Sequence, residues 1–487
     1  MRVMVLSAGV GSGHNSAAAA LESEFKSRPG VEAVERIDVL DLTGDLYRTL
    51  NDDAYFGLVD AAPWLVGWGY DLSDVPFRSK GVLSIWDQLN TTEVVRAIRG
   101  FTPDTIVCTH FLPARVVSLL LGRGRVQATM SVVTTDYDFQ GMWLTAPFNR
   151  FYVARDETRA HMVGLGLPAD RTTVSGIPVK ADFSAPVDRD SVLSRYELRP
   201  DVPILLISAG AAGGEYTKAV VTQTLALPNA FQAVVVCGRN HELRDEVAAL
   251  VASNPSRYRV IGYTNEMASL MRVATLFVGK PGGLSSSECM AAGLPMVLVN
   301  PIPGQEVRNS DFLLEEGAAV RCNYGTTIGY KIAALLDAPD RVRRMAASSR
   351  RIGRQDAAAV IVNGALAEQQ QPLWISREAR RVIRDAAQRG LAIPGGSANT
   401  QVRTVVDAST GSSVALVTGA DLRRIEARLP KSASLDPELR VTPDLIAHLK
   451  RRRAGTEPLA VLANALGAAD EVALKVRRAP LEVSTPL

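Results

Sequence analysis

The sequence predicts an α/β protein: two doubly wound, parallel-sheet domains followed by a C-terminal α+β segment. Three observations carry this. Short apolar runs alternate with helical patterns along the first three quarters of the chain, and that alternation builds parallel sheets. Apolar runs in both halves end in glycine-bearing turns that lead into helices, the layout of a ligand-binding sheet edge. Between the two runs of alternation lies Thr173–Arg189, which bears Pro178, Pro186 and small polar turns and reads as an inter-domain linker. The expected domains are residues 1–175, 176–372 and 373–487.

In the first domain, MRVMVLSAG reads as a buried strand, GVGSGH as a glycine-rich turn and Asn15–Lys26 as an alanine-rich helix. His14 falls at that helix start, where the dipole disfavours imidazolium, so a neutral general base is expected there. Strand Glu35–Leu40, helix Thr91–Arg99, strand Thr105–Thr109, helix Leu112–Leu121 and strands Met130–Thr134 and Phe151–Ala154 continue the pattern. His110 ends one strand, either orienting a substrate or serving as a hydrogen-bonded buried histidine. Asp136 and Asp138 match a D-x-D metal pattern only superficially, because a strand-end aspartate in a parallel sheet needs no metal. Asp136 reads as a cleft-lining hydrogen-bond acceptor, and no metal is expected.

The texture changes between Tyr55 and Trp86. This insertion holds Trp64, Trp68, Tyr70 and Trp86, including three of the five tryptophans. Such residues suit a membrane interface, with apolar bodies and polar tips. They equally suit core packing over the sheet, and the sequence leaves both readings open.

In the second domain, strand Pro203–Ser208 leads into AGAAGGEY, where Gly210, Gly213 and Gly214 let backbone approach a ligand, and a helix follows from Thr217. Strand Ala233–Val236 precedes CGRNHEL and strand Arg257–Ile261 precedes GYTNEM. The most informative stretch is Gly279–Asn309. Strand Thr275–Val278 runs into a tight turn of Pro281, Gly282 and Gly283. Ser285, Ser286 and Ser287 are placed to cap a helix, with Glu288 in its first turn. A helix start after a glycine turn binds phosphate. A carboxylate beside it suits a pair of sugar hydroxyls instead. Strand Pro295–Val299 then leads to Gln305, Glu306 and Asn309. Helical patterns from Lys331 to Gln369 close the domain, the last crossing back to the first.

KPGGLSSSE followed by GLPMVLVNPIPGQEVRN resembles the donor-site signature of the monogalactosyldiacylglycerol synthase and processive diacylglycerol glucosyltransferase family. That family is related to the peptidoglycan-precursor N-acetylglucosaminyltransferase. The resemblance implies a GT-B fold, with two Rossmann-like domains facing a cleft, and a UDP-sugar as substrate with no cofactor. It implies that Glu288 holds the ribose hydroxyls and that Pro281, Gly282, Gly283, Leu284 and Ser285 lie at the diphosphate turn. It places Gln305 and Glu306 at the donor sugar, and Tyr263 and Met267 at the uracil through backbone. GSGHNSAAAAL is similar to the family's Gly-Gly-His segment, in which the histidine faces the acceptor hydroxyl. The family places acceptor binding in the aromatic insertion, so Trp64, Trp68, Tyr70 and Trp86 are expected at a lipid entrance. Where the family usually has a histidine, this chain has Gln140, which cannot move protons at neutral pH.

Composition bounds the rest. A chain of 487 residues is long enough for two to four domains with large cores. A net charge of +3 does not by itself imply nucleic acid. Cys108, Cys237, Cys289 and Cys322 are far apart and form no C-x-x-C pair, which argues against a zinc site or disulfide framework and fits a reducing cytoplasm. The chain opens directly on a strand and has no apolar run of bilayer length, so a peripheral contact with the inner face of a membrane is expected. The resemblance stops near Trp374. Beyond it, Ser376–Leu487 carries 18 Lys and Arg against 12 Asp and Glu, a surplus of +6 against −3 for the rest. That surplus suits anionic lipid, nucleic acid or a plain solvated helical face.

The resulting expectation is an inverting transfer of a hexose from a UDP-sugar to a membrane lipid, diacylglycerol first. The alternatives are N-acetylglucosamine transfer to a lipid-linked precursor, and a non-catalytic nucleotide-sugar sensor or scaffold.

Overall fold

A computed structural model of the chain describes residues 1–9, 12–42, 74–77, 92–210, 214–390, 401–435, 438–452, 456–467 and 469–477. Trp64, Trp68, Tyr70, Trp86 and Gly213 lie outside the described residues.

The first sheet is built from β1 (Arg2–Ser7), β2 (Ala33–Asp38), β3 (Thr105–Cys108), β4 (Thr129–Val133), β5 (Arg150–Val153) and β6 (Thr172–Val174). Helices α1 (Ser12–Lys26), α2 (Thr92–Phe101), α3 (Phe111–Gly122) and α4 (Asp156–Gly164) connect them. All pairs are parallel and the order is β2-β1-β3-β4-β5-β6. Strands covered on both faces must be apolar throughout, and β1 and β3 are buried almost end to end. Leu6 pairs with Cys108, so β1 and β3 finish level with each other. The strand order reverses between these two, and loops diverge there to leave a crevice.

After α5 (Arg189–Arg195) the second sheet comprises β7 (Ile204–Ser208), β8 (Gln232–Val236), β9 (Tyr258–Ile261), β10 (Leu276–Gly279), β11 (Met296–Val299) and β12 (Ala319–Cys322). Its helices are α6 (Gly214–Leu225), α7 (His241–Leu250), α8 (Met267–Val273), α9 (Gly283–Ala292), α10 (Gln305–Glu315), α11 (Ile328–Leu336), α12 (Pro339–Ile352) and α13 (Ala357–Leu366). The order β12-β11-β10-β7-β8-β9 puts the switch point between β7 and β10.

Two crossings join the lobes. One leaves β6 at Gly176, whose φ is +85° and whose missing side chain makes room for Arg354. The other runs past Arg354 into α13. Ala358, Ile361, Val362 and Ala365 of α13 pack on Val3, Val5, Ala18, Leu21 and Phe25, so the last helix of the second half closes the first lobe, as its sequence pattern suggested.

The C-terminal segment contains β13 (Trp374–Ile375), α14 (Arg377–Gln388), β14 (Val402–Asp407), β15 (Ser413–Thr418), α15 (Gly419–Glu426), β16 (Leu439–Val441), α16 (Pro443–Arg451), α17 (Thr456–Leu466) and β17 (Val472–Val476). It forms a mixed sheet ordered β13-β15-β14-β17-β16, with only β13 and β15 parallel. Its residues Leu373, Ile375, Ala379, Ile383 and Leu416 share one core with Met130, Phe148 and Phe151 of the first lobe. Arg171 is wholly buried at this junction. Its Nε donates to the Ser413 carbonyl at 2.8 Å and its Nη1 to the Asn149 carbonyl at 3.2 Å. The Asp170 carboxylate accepts from the Ser413 N–H and hydroxyl at 3.0 and 2.8 Å.

Two local expectations are corrected. Thr172–Val174 belongs to the first sheet as its edge strand, so the link between lobes starts later than Thr173. The helix after β7 starts at Gly214, three residues before Thr217.

Candidate active site

Both switch points open onto one gap, and the two lobes touch across it. Gly283 opens α9, and a Cβ there would collide with the Thr135 carbonyl oxygen after β4. Gly13 on α1 faces Leu284 at 3.7 Å from the position its Cβ would take. Tyr137, buried, donates to the Gly283 carbonyl at 3.3 Å and meets the Ser287 hydroxyl. Asn309, with no exposed surface, accepts from the Tyr137 N–H at 2.9 Å and donates to Asp136 Oδ1 at 3.0 Å.

His14 lies in this gap on the first turn of α1. Asp38 accepts from the Gly9 N–H at 3.1 Å and from Asn15 Nδ2 at 2.7 Å, tying the residues after β1 to α1. The ring Nδ1 lies 2.9 Å from the Thr109 carbonyl oxygen and 3.0 Å from Thr135 Oγ1. A carbonyl only accepts, so Nδ1 carries the proton and the lone pair resides on Nε2. Burial is the main cause that lowers the His14 pKa, with Asp136, the Thr109 carbonyl and Asp38 opposing it. The sequence expectation gave the helix dipole as the reason; burial of the ring acts in the same direction.

His110 packs edge-on against His14, with ring centroids 4.5 Å apart. Its Nδ1 accepts from the Leu112 N–H at 3.1 Å, capping α3. The proton of neutral His110 therefore sits on Nε2, the opposite tautomer to His14. Burial and neighbouring His14 push its pKa well below the usual value. Trp143 and Phe111 complete an aromatic wall beside the pair. Gln140 is buried and precedes the short helical turn Gly141–Trp143 without capping it.

On the second lobe two helices start at the gap with no side-chain cap. The N-cap of α9 is Gly282, and that of α10 is Gly304 at φ 95°, ψ −110°, a conformation open only to glycine. This corrects the capping role expected of Ser285, Ser286 and Ser287, which lie inside α9. Ser287 instead donates to the Gly283 carbonyl at 2.8 Å, and Glu288 falls in the second turn. Glu288 is half-buried, and among the described residues no hydrogen bond or ion pair engages its carboxyl group. Burial pushes its pKa up to about 8, with Lys180 offsetting part of the effect. Glu306 is buried and accepts from the Ile302 N–H at 2.7 Å; burial raises its pKa to about 6, against the pull of Lys280. Gln305, half-exposed, opens α10. Pro281 is buried in the turn after β10.

Gly210 follows β7, which neighbours β10, and Gly214 opens α6. Tyr263 and Met267 follow β9, two strands from β7. Tyr263 is exposed beneath the Arg239 guanidinium, and Met267 opens α8. The gap thus brings together His14, His110, Asp136, Gly282, Gly283, Leu284 and Glu306, while Tyr263 and Met267 stay at the edge of the sheet. The sequence does not single out Thr135, Lys280 or Arg308. Arg308 of α10 reaches Asp138 Oδ2 at 2.8 Å and Asp74 Oδ2 at 3.1 Å. Among the described residues no group of three or more His, Cys, Asp or Glu is placed to hold a metal ion, and no helix is long and apolar enough to cross a membrane.

Comparison with known proteins finds relatives for both lobes. Residues 14–179 match the monogalactosyldiacylglycerol (MGDG) synthase family model, and residues 204–356 match the glycosyltransferase family 28 C-terminal domain. The chain is 28% identical over 377 residues to a processive diacylglycerol beta-glucosyltransferase of Bacillus cereus (strain AH187), covering 75% of this chain and 94% of that protein. It is 27% identical, with the same coverage, to the enzyme so named from Bacillus anthracis (strain CDC 684 / NRRL 3495). Among solved structures, S. aureus MnaA with UDP aligns at TM-score 0.52 and 15% identity, over 74% of this chain and 95% of that one. A UDP-N-acetylglucosamine 2-epimerase structure from Listeria monocytogenes aligns at 0.51 and 14%, over 76% and 98%. These two structures share the fold of the paired lobes. The chain is a GT-B glycosyltransferase, similar in its first lobe to monogalactosyldiacylglycerol synthase, in its second to the glycosyltransferase family 28 C-terminal domain, and through both to the processive diacylglycerol beta-glucosyltransferases.

Proposed function

We propose that the protein moves a hexose from a UDP-sugar to the hydroxyl of a membrane lipid, diacylglycerol first, in a single inverting displacement at the inner face of a membrane. The observation that carries this is the tautomer of His14. The Thr109 carbonyl holds the proton on Nδ1, burial keeps the ring neutral, and Nε2 is left to take a proton from an attacking hydroxyl. Bond breaking at the sugar throws negative charge onto the departing diphosphate. The uncapped starts of α9 and α10 offer backbone N–H groups and positive dipole ends to that charge. Donors aimed in this way are each worth about 3–4 kcal/mol in a transition state. Glu288, whose carboxyl is without a hydrogen-bond partner among the described residues, suits a ribose diol, and Gln305 with Glu306 suits the sugar hydroxyls. The UDP in the S. aureus MnaA structure supports the nucleotide part of this reading.

The test is UDP release and product identification with a panel of UDP-sugars and a total lipid extract. A glycosylated diacylglycerol is the expected product. N-acetylglucosamine on a lipid-linked precursor would favour the alternative acceptor, and UDP-sugar binding without turnover on any lipid would make the protein a sensor. His14→Ala should lower turnover by about 10²–10⁴-fold and leave UDP affinity unchanged.

A further inference from the structure

The ion triad of Arg308, Asp74 and Asp138 spans the gap beside the donor residues. Arg308 stands three positions after Gln305, one turn further along α10 and on the same face. Its guanidinium reaches out of the second lobe to two carboxylates of the first, at 2.8 Å and 3.1 Å, and is about one-third exposed. Asp138 follows β4. Asp74 belongs to residues 74–77, a short described part of the long stretch between β2 and α2.

Three further contacts fix that short segment. The Gly141 N–H donates to Asp74 Oδ1 at 2.9 Å. A Cβ on Gly141 would collide with the Asp74 carbonyl oxygen and the Pro76 nitrogen, so the two backbones touch only because residue 141 is glycine. At the other end the Arg380 guanidinium of α14 lies 5.5 Å from the centre of the Phe77 ring. The segment is therefore held between the cleft and the C-terminal segment.

The charges explain what Arg308 does there. Burial raises the Asp74 pKa, Asp138 raises it further, and Arg308 and the Gly141 amide oppose them. Two carboxylates in one partly buried place repel, and a cation between them reverses the sign of the interaction. That cation comes from the opposite lobe, so it is in place only while the lobes are closed.

We propose that Arg308 is a positioning residue: it latches residues 74–77, a stretch within the aromatic insertion, onto the donor lobe, so that lobe closure sets the acceptor entrance. This rests on the reading of the insertion as acceptor-binding. Its consequence is that donor and acceptor sites are coupled through one side chain that need touch neither substrate.

The test compares wild type, Arg308→Ala, Arg308→Lys and the double variant Arg308→Ala with Asp138→Asn, by steady-state kinetics and by hydrogen exchange of peptides covering residues 74–77 and 138–143. Arg308→Ala should raise acceptor KM about tenfold and leave the UDP dissociation constant within about twofold. It should also speed exchange in both peptides while a peptide from α9 is unchanged. Arg308→Lys should fall between, and removing the Asp138 charge from the alanine variant should recover at least about a third of the loss, because repulsion is then relieved. An unchanged acceptor KM, an equal change in UDP affinity, or no recovery in the double variant overturns the latch. The exchange readout does not need turnover. Unchanged exchange therefore refutes the latch alone, whereas absence of glycosyl transfer by wild type refutes the functional reading alone.

Discussion

The ionisable residues of the gap are legible one at a time from the causes of their shifts. His14 accepts a proton only when neutral, and its pKa lies below the usual 6.5. The acid limb of kcat/KM should therefore fall below pH 6.5, with activity lost as pH drops through the depressed value; an acid limb above pH 7 would remove His14 as the base. Glu288 runs the other way. Its pKa is raised to about 8 from 4.5, so it is largely protonated at pH 7 in the free protein. A ribose diol donates to a carboxylate, so UDP binding at pH 7 should release a proton, seen as a binding enthalpy that changes with buffer. Glu288→Gln should abolish that release. The same shift makes the carboxyl a pH-dependent burden on folding: its neutral form is accommodated below pH 4.5, and stability falls as pH rises through about 8. The glutamine variant should show a flatter stability profile over that window in urea titrations. His14 and Glu288 stand out in the sequence because each follows a strand and a glycine turn. Arg308 is not visible, because its partners are 170 and 234 positions away.

At the scale of elements, apolar runs placed the strands well, since a strand covered on both faces leaves little choice of residue. Helix starts were less legible. The serine run after Gly283 looks like a cap, yet α9 begins before it and leaves its first amides free of side chains. A capped terminus is satisfied internally, and an uncapped one keeps its donors for a ligand. Gly283 is also where α9 meets the loop after β4. Gly283→Ala should push the Thr135 carbonyl away and disturb the hydroxyl beside His14 Nδ1. The expected result is at least a hundredfold drop in kcat/KM, about 3 kcal/mol, with a smaller loss of UDP affinity. Retained activity would show that the lobes react in a more open arrangement.

Across the whole molecule, the alternation of strand and helix sufficed to find two lobes, and the pattern of the C-terminal stretch to find strands and helices there. That this stretch shares a core with the first lobe was not legible, because the contacts join residues hundreds of positions apart. Arg171 is the clearest case. A lone arginine in a sequence reads as surface, whereas here it is wholly buried between Asn149 and Ser413. Arg171→Ala would leave buried carbonyls without donors, at about 1–3 kcal/mol each. Its melting temperature should drop by several degrees, with protease cutting appearing first near residue 413. A protein ending at residue 372 should be insoluble, because it would bare Phe148 and Phe151.

The pair of crossings at Gly176 and Arg354 has a mechanical meaning. A single connector lets two bodies swivel in any direction, whereas two connectors side by side behave as the pins of a door. With α13 anchored in the opposite lobe, opening reduces to a swing about one line. The mouth of the gap then parts on the side away from those pins, and under the proposed function the nucleotide enters and leaves by that route.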